Sequence, residues 1–550
     1  MMRAILLLVA LVAAMQALAG AQTAYHATTL AQLQSAISSA TSVDVILVGA
    51  SFTGSVTLPA NSVTLNIFAD PAAATPTWTA GNNAALVSDV AGWSGSLYIS
   101  GITLASGTLS TPTSLFDFSH SLLGGSVVLN QVTITMSSCR YARTSLASAA
   151  HVFGGVYSRI FAVRRRVRSR LRAPLLRTLS SWLAHYSQYM VSWVRPVTAA
   201  LSYFLVTSST LTISGGLIDM SLIQGPFNFA ITDSTVNFGS SVSACGGAVI
   251  PAGAKLSVPA GGMATFTLRR NTFTMPNANA PTLDANSFLA ANAGALTLAI
   301  TDNTFNYATS SAIGNNNVWS FTSLSTGVTK AWFARNSFIM FFQGSGALFY
   351  ILETGTTSMF IFDTNTFGMT NKDAWAPIYD AGSTSQIKYS ITNNIWLNTV
   401  KTHHPEHVNI KPVASYCATF TGNMATRSPG DDDDIYFGTA GTPPLGNVYV
   451  AGNTILNHPH CTTSASSGML IVMVTVMVLL ASHSLTISHS LTGKPESSIE
   501  LDGVTVYENS PPNFPPMTGP FGSPTLYVAL CALNVNVTYS SSPGGAYRCP

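Results

Sequence analysis

The sequence predicts an all-β fold, a right-handed parallel β-helix (solenoid) built from coils of about 30 residues. Three observations carry that expectation, and the handedness comes from a resemblance given below. One segment pattern recurs at nearly constant spacing. Apolar and polar residues alternate on both sides of a short polar break in each segment. Charged residues make up only 8% of the 550, against about 25% in typical soluble proteins. A surface kept polar by Ser, Thr, Asn and Gly is common in secreted all-β proteins and unusual in cytosolic enzymes.

The chain opens on residues 1–19, which read as a signal peptide. Arg3 supplies the positive start, Ala4 to Ala14 an apolar run too short to span a bilayer, and Ala17-Leu18-Ala19 a cleavage site of small residues. Residues 20–136 form an N-terminal β-rich part and the first coils, where LYISGITLASG (97–107) and VVLNQVTITM (127–136) lie about one repeat apart.

The repeat is clearest in 206–460. TFTLRRNTFTM (265–275), TLAITDNTFNY (297–307), AWFARNSFIM (331–340), MFIFDTNTFGM (359–369), KYSITNNIWLN (388–398) and NVYVAGNTILN (447–457) align without gaps. Each carries an Asn at one point: Asn271, Asn303, Asn336, Asn365, Asn394 and Asn453. Successive spacings are 32, 33, 29, 29 and 59 residues, the last being two repeats with Asn423 between them. AITDSTVNF (230–238) has the same pattern with Ser234 in the Asn position. Three residues before each Asn stand Leu268, Ile300, Phe333, Phe362, Ile391 and Val450; two after it stand Phe273, Phe305, Phe338, Phe367, Trp396 and Ile455. Period two on each side of a bend means strand, bend, strand, each with one buried face. Such a unit cannot bury that face alone, so the units must stack. The aromatic residues then form a column inside a tube. The Asn amides sit at the bend, each donating to the carbonyl of the next.

These motifs resemble the pectin-lyase-like superfamily of right-handed parallel β-helices, with its ladders of inward-pointing Asn beside aromatic and aliphatic stacks. The resemblance covers 206–460 well and 42–136 more weakly. It implies fold rather than function, since this architecture hosts lyases, hydrolases, adhesins and tailspikes. The hydrolase motifs of the superfamily (Asn-Thr-Asp, Asp-Asp, Gly-His-Gly and Arg-Ile-Lys in order) do not occur in this sequence.

Two segments stand apart. Residues 137–205 hold eleven arginines, among them Arg164, Arg165, Arg166, Arg168, Arg170, Arg172 and Arg177, and no Asp, Glu, Lys or Asn. Without those eleven, thirteen basic residues face twenty-one acidic ones, so the remainder of the chain stands at −8 and the overall +3 comes from this stretch. It reads as a frameshift or retained intron, as a basic helix with Trp182 and Trp193 as interfacial anchors, or as a solvated basic loop. In the C-terminal region, 461–550, the run 468–481 (GMLIVMVTVMVLLA) is short for a full span and suits a buried strand; membrane association through it is the other reading.

Six cysteines permit three disulfides in an oxidising compartment, with Cys531–Cys549 favoured as a local staple. Asn536 begins the one glycosylation sequon, Asn536-Val537-Thr538. Arg270, Asp302 and Arg335 precede the Asn on three consecutive coils. Opposite charges so placed should pair across coils as a surface ladder, or serve as a glycan-binding strip. Asp431 to Asp434 read as a solvated loop, and His403-His404-Pro405-Glu406-His407 as a loop in which Pro405 breaks any zinc-binding helix. No catalytic residue is assigned, and no cofactor or metal is expected. The expectation is therefore an extracellular or surface-displayed protein, structural, adhesive or glycan-binding. Its partners are carbohydrate or another surface protein and not nucleic acid; a polysaccharide lyase or glycoside hydrolase is the alternative.

Overall fold

The computed structural model describes residues 23–136 and 202–426, except 43, 109–113, 119–124, 214–215, 221–225, 239–253, 257, 276–287, 308–318, 324–325, 343–346, 356, 372–376, 381, 401–406 and 415. It also describes short strands at 189–192, 435–437, 446–451, 454–456, 485–487, 499–501, 504–506 and 537–539. The expected leader, most of the Arg-rich stretch, the run 468–481, Asp431 to Asp434, Asn453 and Asn536 lie outside the described residues.

One coil shows the plan. Met263–Arg269 lies in a first sheet, with burial alternating at every residue. Arg270 and Asn271 make the bend, and Thr272–Met275 enters a second sheet. After the connection 276–287, Phe288–Asn292 enters a third sheet. Ala293 and Gly294 then turn the chain into Ala295–Thr301, which lies beside Met263–Arg269 in the first sheet. Stacked repetition of this path gives sheets of 17, 13 and 13 strands, and the coil-to-coil pairings are parallel. The protein is an all-β parallel β-helix.

The registers place each predicted row in line. Leu268, Ile300, Phe333, Phe362 and Ile391 are direct partners in the first sheet and are buried. Phe273, Phe305, Phe338, Phe367 and Trp396 follow one another in the second, with ring centroids 4.8, 4.9, 5.3 and 5.4 Å apart. Those spacings sit just above the strand separation of about 4.8 Å, so the rings lie nearly parallel, at 3° to 18°. Offset stacking of this kind adds about 0.5–1.5 kcal/mol per pair beyond area burial.

The bend has a backbone signature. Gln131, Ser208, Asp233, Arg270, Asp302, Arg335, Thr364 and Asn393 all have φ between 49° and 60°, and Gly101 and Gly422 take the equivalent places at 74° and 65°. One left-handed residue per coil turns the strand sharply. At Gly422 a Cβ would sit 2.4 Å from Asn393 Oδ1, so a side chain there requires the exposed Asn393 amide to move.

The sequence pattern gave no helix in 20–136, yet Leu30–Ser39 forms one, α1. Thr29 and Gln32 close its first turn as a capping box, and Leu33, Ala36 and Ile37 are buried. It packs on Ala24–Ala27, Val45–Val48 and Val56–Thr57, the first strands of two sheets. A solenoid leaves its terminal coil uncovered, and an amphipathic helix supplies the cover.

The stack also runs across the Arg-rich stretch. Ser126–Asn130 pairs with Tyr203–Thr207, and Thr133–Thr135 with Thr210–Thr212. The third-sheet strand of the intervening coil is Tyr189–Ser192, beside Phe116–Asp117. The span 137–205 thus contributes two strands, Tyr189–Ser192 and most of Ser202–Thr207, to consecutive coils of the rod.

Candidate functional site

At the bend the Asn amides form a continuous ladder. Asn303 Nδ2 donates to Leu268 O of the preceding coil (2.9 Å) and to Asn336 Oδ1 of the next (3.0 Å). Asn336 Oδ1 also accepts from Asn303 N (3.0 Å). The same three bonds recur from Asn271 through Asn394, and the ladder reaches Asn423, whose Nδ2 donates to Ile391 O at 2.8 Å. Ser209 and Ser234 continue it upstream with hydroxyls, Ser209 N donating to Ser234 Oγ (3.1 Å).

On the outside of the same bend lie the three residues read as a charge ladder or glycan strip. Arg335 makes a bidentate pair with Asp302, Nε–Oδ1 2.6 Å and Nη2–Oδ2 2.9 Å. Arg270 does not turn to Asp302; it pairs in the same way with Asp233, at 2.5 and 2.7 Å. Asp233 was missed by the sequence reading, although it precedes Ser234 as Asp302 precedes Asn303. Hydrogen bonds from the guanidinium groups hold both carboxyls below the ordinary aspartate range and raise both arginines. Both arginines remain about half exposed. The arrangement is a paired register lock with its polar atoms committed to each other.

A second polar group was not foreseen and lies inside the tube. Glu353 and Asp380 are fully buried on adjacent coils, at the third sheet's end. Glu353 Oε2 accepts from Ser358 Oγ (2.8 Å), while Oε1 has no partner. Asp380 Oδ1 accepts from Gly382 N (3.2 Å) and Ser383 N (3.1 Å), and Oδ2 from the Tyr389 hydroxyl. Burial pushes both carboxyls above their ordinary values, against the pull of these donors, and Asp380 adds to the rise at Glu353. The signal in the sequence was parity: in Phe349–Glu353 the buried positions are Phe349, Ile351 and Glu353, so a carboxyl occupies an inward place.

The histidine run separates. His407 is buried with its ring 6.0 Å from Trp396, and the rest of the run lies outside the described residues. Among the described residues no group of three or more His, Cys, Asp or Glu could hold a metal.

The outer face of the first sheet carries a third feature. Lys330, Met359 and Lys388 are consecutive partners across three coils, and Trp332, Ile361 and Ser390 form the adjacent outward row. Trp332 is 43% exposed and Met359 37%. Among the described residues neither lysine has a carboxylate partner. Cys417 follows Lys388 in its row and is buried and disulfide-bonded, its partner lying outside the described residues. Aromatic side chains were expected inside the stack, and Trp332 departs from that because its place in Val328–Ala334 has outward parity.

No protein-family model, no curated protein and no solved structure matches this chain.

Proposed function

We propose that this chain is a secreted or surface-displayed rod of the pectin-lyase-like kind, with an adhesive, glycan-binding or structural role outside the cell. The observation that carries this reading is the allocation of charge. At the bend the arginines and aspartates are tied to each other in bidentate pairs, and Glu353 and Asp380 are sealed inside the tube. The described strands of the second sheet show solvent mainly Thr, Ser and Asn, and those of the first mix these with apolar residues and a few charges. Glycoside chemistry needs two carboxyls facing one sugar, whereas a binding face needs hydroxyls, amides and a few flat apolar surfaces. The leader-like start and the disulfide at Cys417 fit an oxidising compartment.

The test is to incubate the secreted protein with a panel of immobilised polysaccharides. Retention without release of soluble fragments is the expected result. New reducing ends or unsaturated uronate products would instead establish the alternative, a lyase or hydrolase of this architecture.

A further inference from the structure

We infer that the outer face of the first sheet at Lys330, Trp332, Met359 and Lys388 is a binding site for an acidic polysaccharide lying along the axis of the rod. The inference rests on the glycan-binding reading and gives it a place and a ligand class.

Lys330 and Lys388 stand in one outward row, two coils apart, with Met359 directly between them. Parallel strands are separated by about 4.8 Å, so the backbones beneath the two ammonium groups lie roughly 10 Å apart on a rigid support. An extended polymer along the axis with anionic groups roughly 10 Å apart would meet the lysines in turn, and its intervening part would rest on Met359. Beside this row, Trp332 exposes 43% of its surface and has Ile361 next to it on the following coil. A flat indole face is suited to the C–H face of a pyranose, as Trp supplies a large rigid contact at low entropic cost.

Charge selects the ligand. At the bend, Arg270 and Arg335 are each paired with an aspartate, whereas Lys330 and Lys388 have none among the described residues. A neutral glycan would leave two lysines without use, and an anionic one supplies partners for charge-assisted bonds. An anionic membrane is a poorer fit, since surface binding takes a broad apolar face and many basic residues. Further along the row the sheet is covered at Cys417, which is only 3% exposed, so the face is bounded on that side.

The experiment is affinity electrophoresis and titration calorimetry of the full secreted chain with polygalacturonate, heparin and dextran, alongside anionic phosphatidylserine vesicles. Wild-type protein is expected to bind one or both acidic polymers, more weakly as salt rises, and not dextran. Lys330→Glu with Lys388→Glu should abolish retention. Trp332→Ala should weaken binding about tenfold, or about 1.4 kcal/mol. Circular dichroism and unchanged melting show that the variants fold, since all three side chains are on the outside. Equal binding by the double lysine variant, binding to dextran alone, or lysine-dependent binding to vesicles but to neither acidic polymer overturns the inference. Glycan retention insensitive to all these substitutions removes this face while leaving the broader reading standing. Absence of all glycan retention by the wild type overturns this inference together with the glycan-binding reading, and leaves the adhesive and structural ones.

Discussion

Asn336 shows why one residue type recurs on every coil. Its Nδ2 donates to Ile300 O (2.7 Å) and Asn365 Oδ1 (3.0 Å), and its Oδ1 accepts both Asn303 N and Asn303 Nδ2. Two donors and two acceptor sites are all satisfied within the protein. Asn336→Ala removes one of the bonds to the Ile300 carbonyl and strands the Asn303 N–H and one Asn303 amide hydrogen inside the bend, at about 1–3 kcal/mol for each unsatisfied group. We expect a loss of at least about 2 kcal/mol by denaturant unfolding. Asn336→Ser should lose less, because Ser234 already serves in the ladder by accepting Ser209 N and donating to Thr232 O at 2.7 Å. If serine proved as damaging as alanine, the ladder would owe its stability to packing rather than to these bonds. This geometry explains what was legible. A bond that must pass from coil to coil demands a small polar side chain at each pass, so the period is written in the sequence. Arg270, Asp302 and Arg335 were legible as positions, but their partners were not. Side chains on left-handed residues can lean to either neighbouring coil, and only coordinates show Arg270 leaning back to Asp233.

The element that joins the third sheet to the first holds the buried carboxyls, and its stability should depend on pH. Glu353 faces Ser323, Thr329, Ser358 and Asp380; Asp380 faces Tyr389 and Ser383, with Tyr416 beyond. Burial raises both carboxyls, so the folded chain holds protons that the unfolded chain has released. Stability from this source is complete below the ordinary carboxyl range of about 4 and is lost as pH rises through the elevated folded values. Denaturant midpoints should therefore fall as pH rises above about 4. Glu353→Gln should flatten that slope, and adding Asp380→Asn should flatten it further. A wild-type slope in the Glu353→Gln variant would place the titration elsewhere. This element was hidden in the sequence because a single Glu among Ile and Leu breaks no pattern by itself. Its inward parity becomes visible only once the strand limits are known. The outward Trp332 is the converse case: an aromatic in a run of apolar residues reads as core until the register fixes which face it occupies.

At the scale of the whole rod, each coil is held by its neighbours, so the consequences of an insertion depend on where it enters. Residues 136–188 leave the second sheet after Thr135 and return to the third at Tyr189, the same connection that 276–287 makes between Met275 and Phe288. On either side the pairing is uninterrupted: Gln131 N donates to Thr207 O (3.1 Å) and Thr210 N to Val132 O (3.0 Å) across the insertion. Strand register therefore runs on from 126–135 to 202–213 through pairings that use none of residues 137–188. Replacing 138–187 with the sequence of 276–287 should leave a folded, secreted protein. Loop-closure entropy changes by about 0.6 kcal/mol per doubling of length, and the native connection is about four times longer, so the shortened chain should gain roughly 1 kcal/mol. Melting and amide hydrogen exchange measure both parts. Strands 96–100 and 126–130 should stay as protected as those at 263–269 and 295–301. If the shortened chain instead lost protection in residues 23–136 while keeping it in 263–426, the insertion would be what docks the first coils onto the rest, and the continuous stack would need its arginines.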